Sequence, residues 1–117
     1  MKKINIIKKE KDFNNVILNG KKYKNKYYII YKENNNLDKY RFGICVSKKL
    51  GNAVTRNKNK RQVKDIIDKS NLLFSKNKDY VIILNREINS IDFEEKKSNL
   101  INLLKIVEGD NNEEKNK

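Results

Sequence analysis

Apolar residues recur along this chain at two different spacings, and each change of spacing marks a new element. Between Glu10 and Asn19 the apolar positions Phe13, Val16 and Ile17 fall at i, i+3 and i+4, the period of one helix face. Gly20 follows where a left-handed C-cap is expected to end that helix. Tyr27 to Glu33 (YYIIYKE) is β-branched and aromatic, which predicts a strand; the pattern reaches back to Tyr23, as one strand or as two with a break. Asn34-Asn35-Asn36 predicts a turn, because asparagine tolerates positive φ and bonds its own backbone. Beyond it Tyr40, Phe42, Ile44 and Val46 alternate with Arg41, Gly43, Cys45 and Ser47, a strand with one large apolar face and one small or polar face. Two strands flanking a short turn are expected to pair as an antiparallel hairpin.

The second half returns to helical spacing. Lys48 to Thr55 reads as a connection with a turn at Gly51-Asn52, and Arg56 to about Lys69 as a helix with the apolar stripe Val63, Ile66 and Ile67. Lys78 to Arg86 holds YVIIL, a run continuous enough to be a central strand buried on both faces. Ser90 or Asp92 is placed to cap a last helix, whose core side is Phe93, Leu100, Leu103, Leu104 and Val107. Residues 1–107 are therefore expected to form one domain, and residues 108–117 a disordered charged tail. The order helix, strands, basic helix, strand, helix predicts an α+β fold: a single-domain sandwich with one mixed sheet and helices packed on it. A helix joining two parallel strands ordinarily makes a right-handed crossover.

Charge changes the picture from architecture to function. The chain of 117 residues has a formal charge of +13 and no histidine. Residues 1–64 carry 19 basic and 4 acidic side chains, whereas residues 65–117 carry 9 and 11. A background preference for lysine would spread its cations evenly, so the polarity points to a polyanionic partner, whose phosphates release counterions when lysine and arginine neutralise them. On a helical projection the stripe of Val63, Ile66 and Ile67 lies opposite Asn57, Lys58, Lys60, Arg61 and Lys64. Arg56, Lys58, Lys60, Arg61 and Lys64 stand within nine residues with no acid to pair at i+4 before Asp65. Each like pair costs a few tenths of a kcal/mol, a cost that a bound polyanion removes. Of 24 lysines and 4 arginines in the chain, two arginines fall in this helix, where a guanidinium fork can grip phosphate in a bidentate way. A simply solvated helix face is the bland alternative.

Other chemistry is sparse. Cys45 is the sole cysteine, which excludes an internal disulfide, and no cluster of cysteine and histidine exists to hold zinc. Cys45 itself reads as a small core or sheet residue. The N-terminal MKKINIIKKEKD is basic, but its apolar stretch ends at Ile7, too short for a signal sequence or a membrane span. A cytoplasmic protein without a membrane partner is expected.

The run GICVSKKLGNAVTRNKNKR, residues 43–61, resembles the signature of the protein subunit of bacterial ribonuclease P, a stretch of the form S-K-K-x-G-N-A-V-x-R-N-R-x-K-R. The resemblance extends over most of the chain, taking in the N-terminal helix with Phe13, the strand ending at Tyr31, the YVIIL strand and the last helix. Lys58 departs from it where the family usually has arginine, and Ile17 where many members have an aromatic residue. The resemblance implies a ribosomal-protein-S5-domain-2-like fold with a left-handed βαβ crossover, against the usual rule. It implies a protein that is the non-catalytic subunit of an endoribonuclease, with no catalytic side chains of its own. The RNA subunit would remove the 5′ leader of precursor tRNA, using Mg²⁺ held mainly by RNA, and the protein itself would bind no cofactor or metal. Its partners would be the catalytic RNA and precursor tRNA, with the protein monomeric apart from RNA. Carried over by position, Arg56, Asn57, Lys58, Lys60, Arg61 and Lys64 would contact the catalytic RNA, Lys48 and Lys49 would extend that surface, and Phe13, Ile17 and Tyr31 would line a cleft for the leader. Without the resemblance, Phe13 and Tyr31 read as core residues.

Two other classes compete. A small ribosomal or ribosome-associated protein would share the charge and the sandwich but has no reason to contain SKKLGNAVTRN. A self-sufficient nuclease needs a general base or a carboxylate cluster; histidine is absent, and the carboxylates concentrate in the last helix and tail.

Overall fold

A computed structural model describes residues 5–109. Helix α1 (Glu10–Asn19) leads into β1 (Lys21–Lys24), β2 (Tyr28–Asn34) and β3 (Arg41–Cys45); α2 (Ala53–Lys69), β4 (Lys78–Leu84) and α3 (Phe93–Gly109) follow, with short 3₁₀ turns at Lys48–Leu50 and Arg86–Ser90. The four strands form one mixed sheet in the order β1-β2-β4-β3. β4 pairs antiparallel with β2, Ile30 opposite Ile82, and parallel with β3, Ile44 opposite Ile82.

The hairpin expected between β2 and β3 does not form: β4 is inserted between them. The physical reason lies in β4 itself. Tyr80, Val81, Ile82 and Leu84 are all buried, and only a central position covers both faces of such a strand. β1 and β2 do form an antiparallel pair, with the break at Asn25, whose Oδ1 accepts from the backbone N–H groups of Tyr27 and Tyr28.

One face of the sheet carries the main core. Tyr28, Ile30, Phe42, Tyr80, Ile82 and Leu84 meet Val63, Ile66 and Ile67 of α2 and Leu100, Leu103, Leu104 and Val107 of α3. Phe42 stacks on Tyr80 at 4.7 Å between centroids and meets Phe74 edge-on at 5.0 Å. The opposite face carries a smaller cluster under α1, in which Ile7, Val16 and Val81 are buried and Phe13, Ile17, Tyr31, Cys45 and Ile83 are half-buried. The outer edge of β3 is covered by a strap, residues 5–7: Ile6 forms a parallel bridge to Phe42, and Ile7 N–H donates to the Phe42 carbonyl at 2.9 Å.

Element ends differ from expectation in three places. Gly20 has φ −77°, not a left-handed value; what demands glycine there is space, because a Cβ would lie 2.5 Å from the Val16 carbonyl oxygen and 2.9 Å from that of Lys32. Helix α2 starts at Ala53, one turn before Arg56, with Asn52 Oδ1 capping the Thr55 N–H at 3.0 Å and Gly51 supplying φ +139° just before it. Asp92, not Ser90, caps α3 by accepting from Glu95 N–H. That helix runs through Glu108 and Gly109, so the tail cannot begin at residue 108; residues 110–117, the rest of the expected tail, lie outside the described residues. Glu108 accepts from Tyr80 Oη at 2.6 Å, and buried Lys32 donates to the Val107 carbonyl at 3.2 Å, fastening the end of α3 to the sheet. Among the described residues no helix is long and apolar enough to cross a membrane.

Candidate nucleic-acid interface

Helix α2 lies on the sheet by its apolar stripe, and its outer surface is cationic. Asn57, Lys58, Lys60, Arg61 and Lys64 are exposed, and Lys48 and Lys49 stand exposed on the 3₁₀ turn before the helix. Arg56, seven residues before Val63 and so outside that solvent-facing arc, is half-buried, and its Nε is buried with no hydrogen-bond partner among the described residues. A buried donor left unpaired ordinarily costs about 1–3 kcal/mol.

Within the same row one residue points inward. Asn59 is buried, donating through Nδ2 to the Thr55 carbonyl at 3.2 Å and accepting from Lys96 Nζ at 3.2 Å. Lys96 also donates to Gln62 Oε1 at 3.0 Å, so one ammonium of α3 joins two residues of α2. Burial first, and Lys58 second, push the Lys96 ammonium below the ordinary lysine range. Asn89 extends the chain of bonds, with Nδ2 donating to the Leu50 carbonyl at 2.8 Å. The network locks the basic helix to α3 and to both 3₁₀ turns. Nothing in the periodicity marks it, because a polar residue amid polar residues carries no signal of burial.

Beside α2 a cavity of about 490 Å³ opens between the helix, the strap and α1, lined by Ile6, Ile7, Lys8, Phe13, Ile44, Lys60, Arg61 and Lys64. Three α2 cations thus face an aromatic ring across an apolar floor. Phe13 can pack against the sheet because residue 43 is glycine: a Cβ there would fall 2.4 Å from the ring. Ile17 and Tyr31 do not line this cavity; they sit with Phe13 in the half-buried cluster under α1, beside Cys45 and Ile83. The structure therefore gathers all three residues of the expected cleft on one sheet face but brings only Phe13 directly against the α2 cations. Burial raises the Cys45 thiol pKa, and Lys60 opposes that shift.

At the start of β3, Arg41 donates to both oxygens of Asp79 (2.9 and 2.7 Å) and to Asp12 at 3.3 Å. The Asp79 hydrogen bond is the main reason the guanidinium is held above its usual pKa. This ion-pair cluster ties α1, β3 and β4 together. Among the described residues no three His, Cys, Asp or Glu side chains come together as a metal ion would need.

Comparison with known proteins adds to this geometry. The family model Ribonuclease P matches residues 1–108. The ribonuclease P protein component of Streptococcus pneumoniae serotype 4 is 36% identical over 106 residues, covering 91% of this chain and 86% of the relative. Among solved structures, the Staphylococcus aureus RNase P protein superimposes with a TM-score of 0.79 at 36% identity, covering 90% of this chain and 96% of that one. The Thermotoga maritima RNase P protein does so with a TM-score of 0.76 at 32% identity, over 86% and 96%. The chain belongs to the ribonuclease P protein family, the protein components that partner an RNA subunit in the ribonucleoprotein endoribonuclease whose role is tRNA 5′ processing.

Proposed function

We propose that this subunit docks on the catalytic RNA through the outer face of α2 and guides the single-stranded leader of precursor tRNA through the cavity floored by Phe13. The observation that carries the reading is the cavity lining, with Lys60, Arg61 and Lys64 on one wall and Phe13 against the sheet on another. Cations that track a backbone beside an aromatic surface that stacks bases form the general recipe for single-strand binding. Arg56, Asn57, Lys58, Lys48 and Lys49 lie on or beside the same helix, where a folded RNA can neutralise the mutual repulsion of the cations. Arg56 is half-buried, so part of its ordering cost is met before RNA arrives. On this reading the protein supplies binding and electrostatics, and Mg²⁺ acts from sites on the RNA.

Reconstitution is the test. The purified protein alone is expected to leave precursor tRNA intact, and adding the matching catalytic RNA at moderate magnesium restores leader removal. Affinity for that RNA falls steeply with salt, and Arg61→Ala lowers both the affinity and the salt slope, the latter by about one. Cleavage by the protein alone, or a complex indifferent to salt, would overturn the reading.

A further inference from the structure

A second basic cavity adjoins the first. It has a volume of about 650 Å³ and is lined by Asn5, Ile6, Lys8, Lys9, Asp12, Leu37, Lys39 and Arg41. The two cavities share Ile6 and Lys8, so they are stations along one trough that follows the strap on the edge of β3. Ile44 in the first and Arg41 in the second stand three residues apart on β3, about 10 Å at a strand rise of roughly 3.3 Å. That distance accommodates at most about three stacked nucleotides at ~3.4 Å each.

The electrostatics of the second cavity favour an anion despite Asp12. The Asp12 carboxylate is already engaged by Arg41, and Arg41 is itself spent on Asp79. Lys8, Lys9 and Lys39 are exposed, and none of the three is held in an ion pair among the described residues. Leu37 stands 38% exposed in the same wall, an apolar surface of the kind an unstacked base covers. Uncommitted cations with an exposed apolar side chain repeat, on a second site, the chemistry of the Phe13 cavity.

Resting on the cleft reading above, we propose that the trough is an extension of the leader path: nucleotides beyond those held at Phe13 run along the strap, with their phosphates bound by Lys9 and Lys39 and one base set against Leu37. The shared chemistry is a ribophosphate backbone, which either the leader or the catalytic RNA could provide. Continuity with the Phe13 cavity assigns it to the leader.

The test uses the assembled holoenzyme and two precursor tRNAs, one with a leader just long enough to reach Phe13 and one several nucleotides longer. The wild-type complex is expected to bind the longer leader about fivefold more tightly. The double variant Lys9→Ala/Lys39→Ala loses that gain, keeps its short-leader affinity, and shows a salt slope for the long leader reduced by about 1.4, two single-strand contacts at ~0.7 each. Retention of the gain in the double variant, or equal wild-type affinity for both leaders, overturns the extension while leaving the cleft standing. Phe13→Ala is expected to weaken both leaders; if it weakens neither, the cleft reading fails and the extension with it. In a third arm the free catalytic RNA is titrated without substrate. Unchanged affinity of the double variant supports the leader, whereas a loss there with the length gain intact assigns the trough to the catalytic RNA and overturns the proposal.

Discussion

At the scale of single residues, the site depends on one absent methyl group. The Phe13 ring occupies the space that a side chain at position 43 would take, with a Cβ only 2.4 Å from the ring edge. Gly43→Ala must therefore displace Phe13 from the sheet or strain the strand, an overpacking cost of about 1–3 kcal/mol. The expected outcome is a lower melting temperature together with weaker leader binding, and full leader affinity in a folded Gly43→Ala protein would show that the ring's seat does not matter. Ile17 gives the complementary case. It lies half-buried in the same cluster as Phe13 and Tyr31, and Ile17→Phe is expected to tighten leader binding by about 1 kcal/mol through added stacking. An unchanged leader affinity would remove Ile17 from the path. Position 17 was legible in the sequence only through the resemblance, since i, i+3, i+4 spacing marks Phe13, Val16 and Ile17 alike as core. Burial separates them, with Val16 enclosed and the other two left partly open. The role of Gly43 was not legible at all, because its constraint comes from a residue thirty positions earlier in the chain.

At the scale of elements, the basic helix is held by more than its apolar stripe. Val63, Ile66 and Ile67 were readable from their spacing and are buried as expected. The polar latch of Asn59, Gln62, Asn89 and Lys96 was not, because its members come from α2, α3 and the 3₁₀ turn at Arg86–Ser90 and meet only in the folded chain. Its energetics are mixed. The Lys96 ammonium gains two hydrogen bonds but is disfavoured by burial and by Lys58. Lys96→Met keeps the aliphatic stem, strands the Asn59 and Gln62 oxygens, and is expected to cost about 1 kcal/mol net. Because the latch sets how α2 sits on α3, affinity for the catalytic RNA should fall as well, measured beside thermal unfolding on the same preparation. If both quantities match those of the unsubstituted protein, the latch does not position the helix.

At the scale of the whole molecule, the class of fold was readable while the order of strands was not. Local pattern identified each strand, but pairing is decided by which strand must be covered on both sides, and β4 wins the centre over the nearer sequence neighbour. The central strands also carry the groups that set the alkaline limit of stability. Tyr28 and Tyr80 are fully buried; desolvation raises both phenols above their ordinary value of 10.0, and for Tyr80 the hydrogen bond to Glu108 adds to the shift. A raised pKa means that the folded state keeps protons the unfolded chain has lost, so this stabilisation is complete below pH 10 and declines above it as pH approaches the folded values. Each phenol removes about 1.4 kcal/mol of stability per pH unit in that window. In an alkaline titration the tyrosinate absorbance of Tyr28 and Tyr80 should rise only with the loss of folded-state circular dichroism. Tyr80→Phe keeps the stacked ring on Phe42 and removes one of the two groups, so its stability should fall less steeply with pH above 10 than that of the unsubstituted protein. Parallel slopes for the two proteins would mean that Tyr80 does not govern the alkaline transition.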